Sequence, residues 1–325
     1  MRLGTECGSY PEPGRRFGLD VAMPSVALIT SQYALTSELD ADREIHTLRR
    51  ALQDRGITCE LVDWRNPDAD LAATDLVVLK SPWDYAPRAA EFLSWLDRTH
   101  QRTRVLNHPA VIRWNLDKTY LGELAAHGVQ ACPTAFCRTP DEVRGALVGA
   151  PGRVVIKPNI SAASANTGLF EHDDAAALTL AEHILSLGKI VMVQPAIASV
   201  SEVGERSLIY LDGAFVHAVR KGPLLALGGE LLSGDQYVET ITSEQPSAGE
   251  LALAGRALEV VAGMIAERGV PHADQLLYAR VDVATDAGGA PLLMELELFE
   301  PSYFLDLAPG AENRFADAVV ARLAP

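Results

Sequence analysis

The sequence predicts an α/β protein in which a doubly wound parallel-sheet domain is followed by two smaller α+β subdomains. Short apolar strands alternate with amphipathic helices over the first hundred or so residues. A second strand–helix unit follows around Val154, and two hairpins with Asp-Gly or Asp-Ala-Gly-Gly turns occupy the last third. Alternating strands and helices are typical of parallel sheets, whereas hairpins form antiparallel ones.

The first subdomain is predicted over residues 25–112, after a flexible N-terminal segment at 1–24 that is rich in glycine and proline. Apolar strands are expected at 26–30, 57–62 and 76–79. A helix capped by Thr36 or Ser37 should connect the first two strands and end at Gly56. A further helix over 88–100 and a short strand at 105–106 complete the unit.

Residues 81–85, with the sequence SPWDY, follow directly after the third predicted strand. Ligands in open α/β sheets bind beyond the carboxyl ends of the strands, so this segment is a candidate substrate-facing edge. The alternative is a proline-anchored turn with two packed aromatic side chains.

A second subdomain is predicted over residues 113–197. Helix 116–127 carries Lys118, and strand 154–158 carries Lys157 before a loop of small polar residues at 159–168. A helix over 174–187 and a strand over 190–194 follow. The backbone N–H groups of the loop suit phosphate binding, although it has a single glycine and is no Walker loop. Taken singly, each lysine is better explained as a solvated surface charge.

The third subdomain, residues 198–325, contains hairpin 206–211/214–221, helix 249–268 and hairpin 276–284/292–298. In the second hairpin, strand alternation places Arg280 and Asp282 on one face and Glu295 and Glu297 on one face of the returning strand. The sequence does not determine the register that would bring the four side chains together.

Three neighbouring carboxylates need more positive charge than one arginine supplies. Two like charges 4 Å apart repel by about 4 kcal/mol at an effective dielectric constant near 20. Oxygen ligands of this kind suit Mg²⁺, with Mn²⁺ as an alternative. The other interpretation is an exposed face with ordinary charges, but acidic residues are uncommon in strands.

Charge and cysteine content exclude several functions. The net charge of −15 makes nucleic acid and membrane surfaces poor partners. The four cysteines show no CxxC pair and no disulfide pattern, which favours a reducing cytoplasm. We expect a small-molecule partner, and a homodimer stays open.

Together these elements resemble the ATP-grasp superfamily over about residues 25–325. Lys118 and Lys157 resemble its two nucleotide lysines. Arg280-x-Asp282 followed by Glu295-x-Glu297 resembles its metal motif, Arg-x-Asp then Glu-x-Asn. Glu297 in place of the usual Asn and the glycine-poor loop are departures from the family pattern. The resemblance implies that the two later subdomains clasp ATP.

The resemblance also implies a role for each candidate residue. Nucleotide contacts are expected at Lys118, Lys157, Ser161, Ser164, Gln194, Pro195 and Ile197. Metal ligands are expected at Asp282, Glu295 and Glu297, and catalytic cations at Arg206, Arg220, Lys221 and Arg280. Substrate contacts are expected at Trp83, Asp84, Tyr85, Asn115, Glu300 and Ser302.

Within the superfamily, segments 81–85, 113–115, 118–121, 204–207 and 300–302 are similar to the cyclo-ligases that convert O-ureido-D-serine into D-cycloserine, a step of antibiotic biosynthesis. This implies ATP- and Mg²⁺-dependent activation of a carboxylate as an acylphosphate, followed by attack of the substrate's own nitrogen. Because water would destroy an acylphosphate, a lid is expected, with the loop at 159–168 and the stretch 224–234 as candidates. Two alternatives stay open. One is an intermolecular carboxylate–amine ligase, similar to peptide or glutathione synthetases, and the other is a nucleotide-binding module without catalysis.

Overall fold

The structure, a computed structural model, describes residues 23–37, 42–162, 164–223, 225, 227–228, 240–270 and 275–323. The predicted flexible segment 1–24 lies almost entirely outside these residues, as does the glycine-containing stretch 224–234, a candidate lid. No helix among the described residues is long and apolar enough to cross a membrane.

The described residues form three sheets and the helices that cover them. The strands are β1 (Ser25–Thr30), β2 (Thr58–Asp63), β3 (Leu76–Ser81), β4 (Val105–Leu106), β5 (Ala135–Cys137), β6 (Val154–Pro158), β7 (Gly168–Phe170), β8 (Val191–Pro195), β9 (Glu205–Leu211), β10 (Ala214–Lys221), β11 (Ile241–Glu244), β12 (Tyr278–Thr285) and β13 (Pro291–Glu297). The helices are α1 (Gln32–Thr36), α2 (Glu44–Gln53), α3 (Ala89–His100), α4 (Pro109–Asn115), α5 (Tyr120–Ala126), α6 (Pro140–Val148), α7 (Ala175–Ser186), α8 (Ala198–Val203), α9 (Ala248–Glu267) and α10 (Ala311–Leu323).

The first sheet has the order β2-β1-β3-β4, and all its neighbouring strands are parallel. Alternate residues of β1 face opposite sides: Leu28 packs with α2 and α10, whereas Ile29 packs with α3 and α4. The strand order reverses between β1 and β3, where the Ser31 hydroxyl donates to the carbonyl of Ser81 at 3.1 Å. The predicted doubly wound parallel sheet is confirmed, and its switch point is the usual place for a ligand.

The other two sheets are antiparallel. The central one has the order β5-β8-β6-β7, with α6 and α7 covering one face. The last has the order β11-β10-β9-β12-β13, and α9 covers one face through residues such as Ala257 and Val261. The opposite face of β9 and β12 turns towards the first subdomain, since Ile209 and Tyr278 pack with residues of β1 and β3.

Two predicted helices begin elsewhere than the sequence indicated. Neither Thr36 nor Ser37 caps the helix that ends before Gly56; the Oδ1 of Asp42 accepts from the backbone N–H of Ile45 instead. The helix predicted over 116–127 begins only at Tyr120, because Asp117 accepts from the N–H of Thr119 in a local turn. Lys118 therefore lies in the turn before α5.

A buried lysine at the end of β3 connects the first subdomain to the segment that follows β13. Lys80 is 1% exposed, and its Nζ lies 3.2 Å from Asp42 Oδ2 and 3.3 Å from Glu44 Oε2. It also donates to the carbonyl of Pro301 at 3.1 Å. Burial alone would lower the pKa of Lys80, but Asp42 and Glu44 raise it above its usual value. The charge is thus held by two subdomains at once.

Replacing Lys80 by methionine should destabilise the protein by about 3–5 kcal/mol, because the buried carboxylate of Asp42 and the half-buried carboxylate of Glu44 lose their counter-charge. Arg153→Met is the matched control, since Arg153 pairs with Glu171 at 2.9 Å on the surface and should contribute less than about 1 kcal/mol. Free energies of unfolding from urea titrations measure both. Equal losses in the two variants would contradict the assigned role of Lys80.

Candidate active site

The polar face of β12 and β13 is the centre of the candidate site. Arg280 lies opposite Glu297, and Asp282 lies opposite Glu295. This register, which the sequence left undetermined, brings the four side chains onto one face as their residue types suggested. Asp282 is 2% exposed and Arg280 is 7% exposed, so their charges are largely shielded from water.

Each carboxylate of the cluster forms an ion pair with at least one cation. The guanidinium of Arg280 donates to both oxygens of Asp282 at 2.9 Å and also to Glu297. Lys221 reaches in from β10, with its Nζ 3.2 Å from Asp282 and 2.5 Å from Glu205. A buried carboxylate with two cationic partners stays ionised, because burial alone would otherwise favour its neutral form.

The pKa values of the three acids diverge as a result. Burial would raise the pKa of Asp282, but Arg280 and Lys221 hold it well below its usual value. The pKa of Glu295 is also lowered, because Lys118 and Lys157 outweigh its burial. The pKa of Glu297 is raised by burial and by the carboxylates of Asp282 and Glu295, against the effect of Arg280. Since the Glu297 side chain keeps 21% of its surface exposed, water moderates that rise.

Lys118 joins this face to the small-residue loop of the central subdomain. Its Nζ lies 3.3 Å from Glu295 Oε1 and donates to the Ser161 carbonyl at 2.7 Å and hydroxyl at 3.1 Å. The backbone N–H of Lys118 donates to the carbonyl of Asn159 at 2.9 Å. The loop is therefore fastened beside the acids, and its Ser164 lies in a turn at a positive φ of 54°.

Lys157 and Gln194 face the same side of the central sheet. Lys157 pairs with Met192 and Val155 pairs with Gln194 across β6 and β8, so these side chains lie opposite the face that α6 and α7 cover. The amide of Gln194 donates to the hydroxyl of Thr134 at 2.8 Å. Pro195 ends β8, and Ile197 follows just before α8, both half-buried. A direct contact of these residues with a nucleotide stays a prediction.

Arg206 and Arg220 do not join the acid cluster. They pair with each other across β9 and β10, and Arg206 also pairs with Val283, whose side chain packs against α9. Both therefore lie on the face opposite Asp282. Arg206 contacts buried Glu250 at 2.8 Å, and Arg220 contacts Glu244 at 3.4 Å. The sequence-based expectation that they act beside Lys221 and Arg280 is wrong, because neighbouring residues of a strand face opposite ways.

The predicted substrate residues divide into two groups. Trp83 donates its indole N–H to the carbonyl of Glu300 at 3.0 Å, and the Tyr85 hydroxyl donates to the Ser161 carbonyl at 3.4 Å. The structure thus brings Trp83, Tyr85 and Glu300 close to the loop beside Lys118. Ser302 is half-buried in the same segment as Glu300.

Asp84 and Asn115 have protein partners that give them supporting roles. Asp84 accepts from the indole N–H of Trp64 at 2.6 Å. The Asn115 side chain donates to the Leu296 carbonyl at 3.0 Å and accepts from the Leu298 N–H at 2.8 Å. Asn115 therefore holds the backbone of β13 between and beyond the two glutamates, and a direct contact of either residue with substrate stays a prediction.

The carboxylates fit Mg²⁺ in chemistry, since hard divalent cations prefer oxygen donors. Among the described residues, no three Asp, Glu, His or Cys side chains are grouped as a metal site by themselves. The same carboxylates are paired with cations: Arg280 bridges Asp282 and Glu297, Lys221 contacts Asp282, and Lys118 contacts Glu295. A metal would share these carboxylates with the cations.

Lys80, Asp42 and Glu44 are functional candidates that sequence reasoning missed. The sequence pattern gave little indication of their role, because Lys80 looks like the polar end of an otherwise apolar strand. Asp42 and Glu44 look like ordinary residues at a helix start. Only the packing of the segment after β13 against β3 shows that they share one buried network.

Known proteins share both sequence and fold with this chain. The family described as D-cycloserine synthetase DcsG, N-terminal domain, matches residues 26–107. The cycloserine biosynthesis protein DcsG of Streptomyces lavendulae is 32% identical over 310 residues, which span 93% of this chain and 100% of that protein. A crystal structure of D-cycloserine synthetase DcsG matches with a TM-score of 0.82 and 32% identity, covering 92% of this chain and 99% of the other.

More distant structures share the fold alone. D-alanine–D-alanine ligase from Bacillus anthracis, complexed with ATP, matches with a TM-score of 0.63 and 14% identity over 93% of this chain and 97% of that one. The ATP-grasp ligase PsnB, complexed with a minimal precursor, Mg and ADP, matches with a TM-score of 0.59 and 17% identity over 92% and 98%. These matches confirm the ATP-grasp architecture.

Lys118→Ala and Lys157→Ala should each weaken the binding of ATP by about 10- to 100-fold, the effect of losing one charge-assisted contact with phosphate. Arg220→Ala is the matched control, because it removes a positive charge from the sheet face opposite Asp282 and should leave the affinity unchanged. Titration calorimetry with Mg-ATP measures all three. Unchanged affinity in both lysine variants would show that neither lysine contacts the nucleotide.

Proposed function

Because the chain belongs to the D-cycloserine synthetase family of ATP-grasp ligases, we propose that it closes a small amino acid into a ring at the expense of ATP. The proposed substrate is O-ureido-D-serine and the proposed product is D-cycloserine, in antibiotic biosynthesis. The observation that carries the proposal is the cluster of three carboxylates and three cations on β10, β12, β13 and the turn before α5. Such a site is suited to neutralising a phosphoryl group in transfer.

Mg²⁺, with Mn²⁺ as an alternative, is the proposed metal, and Asp282, Glu295 and Glu297 are the residues that would hold it. PsnB and D-alanine–D-alanine ligase, the two distant relatives, are complexed with Mg and ADP and with ATP, respectively. When bound, the metal supplies positive charge to the phosphate oxygens. In the present arrangement the lowered pKa values of Asp282 and Glu295 keep both acids ionised for this purpose.

The proposed first step joins the substrate carboxylate to phosphate. A carboxylate oxygen attacks the γ-phosphorus of ATP, the bond to the bridging oxygen breaks, and ADP leaves with the electron pair. In this proposal Arg280 steadies the transferred group, and Lys118 and Lys157 bind the other phosphates. Lys221 keeps Asp282 ionised and in position, at 3.2 Å from its Oδ2. Arg206 and Arg220 take no part in this step.

The proposed second step closes the ring. The nitrogen bonded to the side-chain oxygen attacks the activated carbonyl carbon, and the C–O bond to phosphate breaks. The nitrogen loses its proton, and its carbamoyl group is removed by addition of water as carbamate. A well-oriented intramolecular attack has an effective molarity of about 10⁵–10⁸ M, so that no second amine has to bind.

The acylphosphate has to be kept from water until the nitrogen attacks. The loop at 159–168 is the proposed cover, and Lys118 and Tyr85 both hold Ser161 near its start. The substrate is proposed to lie between this loop, Trp83 and Glu300, near the switch point of the first sheet. Asp84, Asn115 and Ser302 support or line that space.

Three features of the wider setting are also proposals. The described cysteines Cys59, Cys132 and Cys137 are buried and free, which suits a reducing cytoplasm. The partner is a small amino acid rather than nucleic acid or a membrane, in keeping with the net charge of −15. A homodimer stays a prediction.

The ring closure is tested with purified protein, ATP, Mg²⁺ and O-ureido-D-serine alone. ADP should be released in step with a product of the mass of D-cycloserine, since the nucleophile belongs to the substrate. The same protein without substrate is the control for background hydrolysis. If ADP appears only after a second amine is added and the product is a linear amide, the chain is an intermolecular ligase. If ADP never appears, it is a nucleotide-binding module.

Glu295→Ala should abolish substrate-dependent ADP release, because the residue is a proposed metal ligand, while the unfolding midpoint changes little at a side chain that is 26% exposed. The control is Glu244→Ala, which removes a carboxylate from the opposite face of the same sheet. Near-normal activity of Glu295→Ala in saturating Mg²⁺ would show that this residue is not a ligand.

A further inference from the structure

The carboxyl group of Glu300, in the segment that follows β13, is buried and has one oxygen left unpaired by the described residues. The residue is 9% exposed, and its Oε2 is buried without a hydrogen-bond partner among the described residues. Buried polar atoms are nearly always paired, because leaving one unpaired has a cost in stability. An oxygen of this kind beside a candidate active site therefore points to a ligand that is bound during the reaction.

The backbone around Glu300 is held by hydrogen bonds to residues of the first subdomain. Trp83 donates to the carbonyl of Glu300 at 3.0 Å, and Lys80 donates to the carbonyl of Pro301 at 3.1 Å. The N–H of Tyr303 donates to Glu44 at 2.8 Å. These three anchors come from the first subdomain and hold the segment at Glu300 and just after it.

The groups that face Glu300 favour a cationic ligand. Burial raises the pKa of Glu300 well above its usual value, and the carboxylates of Glu297 and Glu295 act in the same direction. The hydroxyl of Tyr85 and the charge of Lys118 oppose the rise. Lys118 is already engaged, however, since its Nζ lies 3.3 Å from Glu295 and bonds to Ser161. The surroundings thus have an excess of negative charge and a neutral donor in Tyr85.

We propose that Glu300 binds the α-ammonium group of the amino-acid substrate. This inference rests on the proposed function, in which the substrate is a small zwitterion whose α-amino group takes no part in the chemistry. An ammonium has three N–H donors, of which one would satisfy Oε2. Its charge would also stabilise the ionised form of Glu300, as an opposite charge at short range does.

The pairing has a chemical consequence. A neutral α-amine carries a lone pair and would compete as a nucleophile for the acylphosphate of another substrate molecule. An amine held as an ammonium by a buried carboxylate has no free lone pair. Glu300 would therefore select substrates with an α-amino group and at the same time keep that group unreactive while the ring nitrogen attacks.

The test compares the amino-acid substrate with a des-amino analogue in which hydrogen replaces the α-amino group. For the wild-type protein, kcat/KM for ADP release should be about 10- to 100-fold higher with the amino acid, the range for a charge-assisted hydrogen bond. Glu300→Gln should lose most of this preference. Its kcat/KM with the amino acid should fall by about 10- to 100-fold, while its kcat/KM with the analogue stays nearly constant. Its KM for ATP should be unchanged. Glu259→Gln, an exposed site on α9, is the control of equal charge change and should keep the preference.

Binding measured by calorimetry, with both ligands and a non-hydrolysable ATP analogue, separates this inference from the proposed function. If the preference for the α-amino group is present and depends on Glu300 but no ring product forms, the inference holds and the proposed function fails. If the ring forms and the wild-type protein shows no preference, or Glu300→Gln weakens both ligands equally, the inference is overturned. The wild-type comparison decides even if Glu300→Gln does not fold. If neither ligand binds, both proposals fail.

Discussion

Charge neutralisation at the acid cluster is the constraint on which the rest of the structure depends. Asp282, Glu295 and Glu297 share one sheet face, where two like charges at 4 Å repel by about 4 kcal/mol at a dielectric constant near 20. The compensating cations come from three places: Arg280 from the same strand, Lys221 from β10 and Lys118 from the turn before α5. The hairpin of β12 and β13, strand β10 and the turn before α5 therefore have to meet at this point.

A second set of contacts relates the cluster to the first subdomain. The Tyr120 hydroxyl donates to the Leu296 carbonyl at 2.9 Å and accepts from its N–H at 2.8 Å, which holds β13 between Glu295 and Glu297. Trp83, Lys80 and Glu44 then hold the segment that carries Glu300. One continuous segment, from β13 to Tyr303, thus carries both the proposed metal ligands and the proposed substrate residue Glu300. Hydrogen bonds to its backbone hold this segment in place. Groups fixed in this way are pre-organised, which is where electrostatic catalysis gains its advantage.

Much of this arrangement was predictable from the sequence, and the exceptions have physical reasons. Strand alternation identified Arg280 with Asp282, and Glu295 with Glu297. Residues two positions apart in one strand share a face, whichever residues they pair with in the neighbouring strand. The same alternation should have separated Lys221 from Arg220, but a single strand does not say which face meets the acids; only pairing with β9 and β12 decides it. Asn115 and Lys80 act through contacts with residues about 180 and 220 positions away, which no local pattern encodes.

In the proposed reaction a carboxylate oxygen of the substrate takes the γ-phosphoryl group of ATP. The most direct measurement uses O-ureido-D-serine whose two carboxylate oxygens carry a heavy oxygen isotope, together with ATP and Mg²⁺, and determines the isotope content of the inorganic phosphate by mass spectrometry. An acylphosphate pathway transfers a single labelled oxygen to each phosphate, because the bond between carbon and that oxygen breaks when the ring closes. Phosphate that contains no label, formed in step with the product, would contradict carboxylate activation.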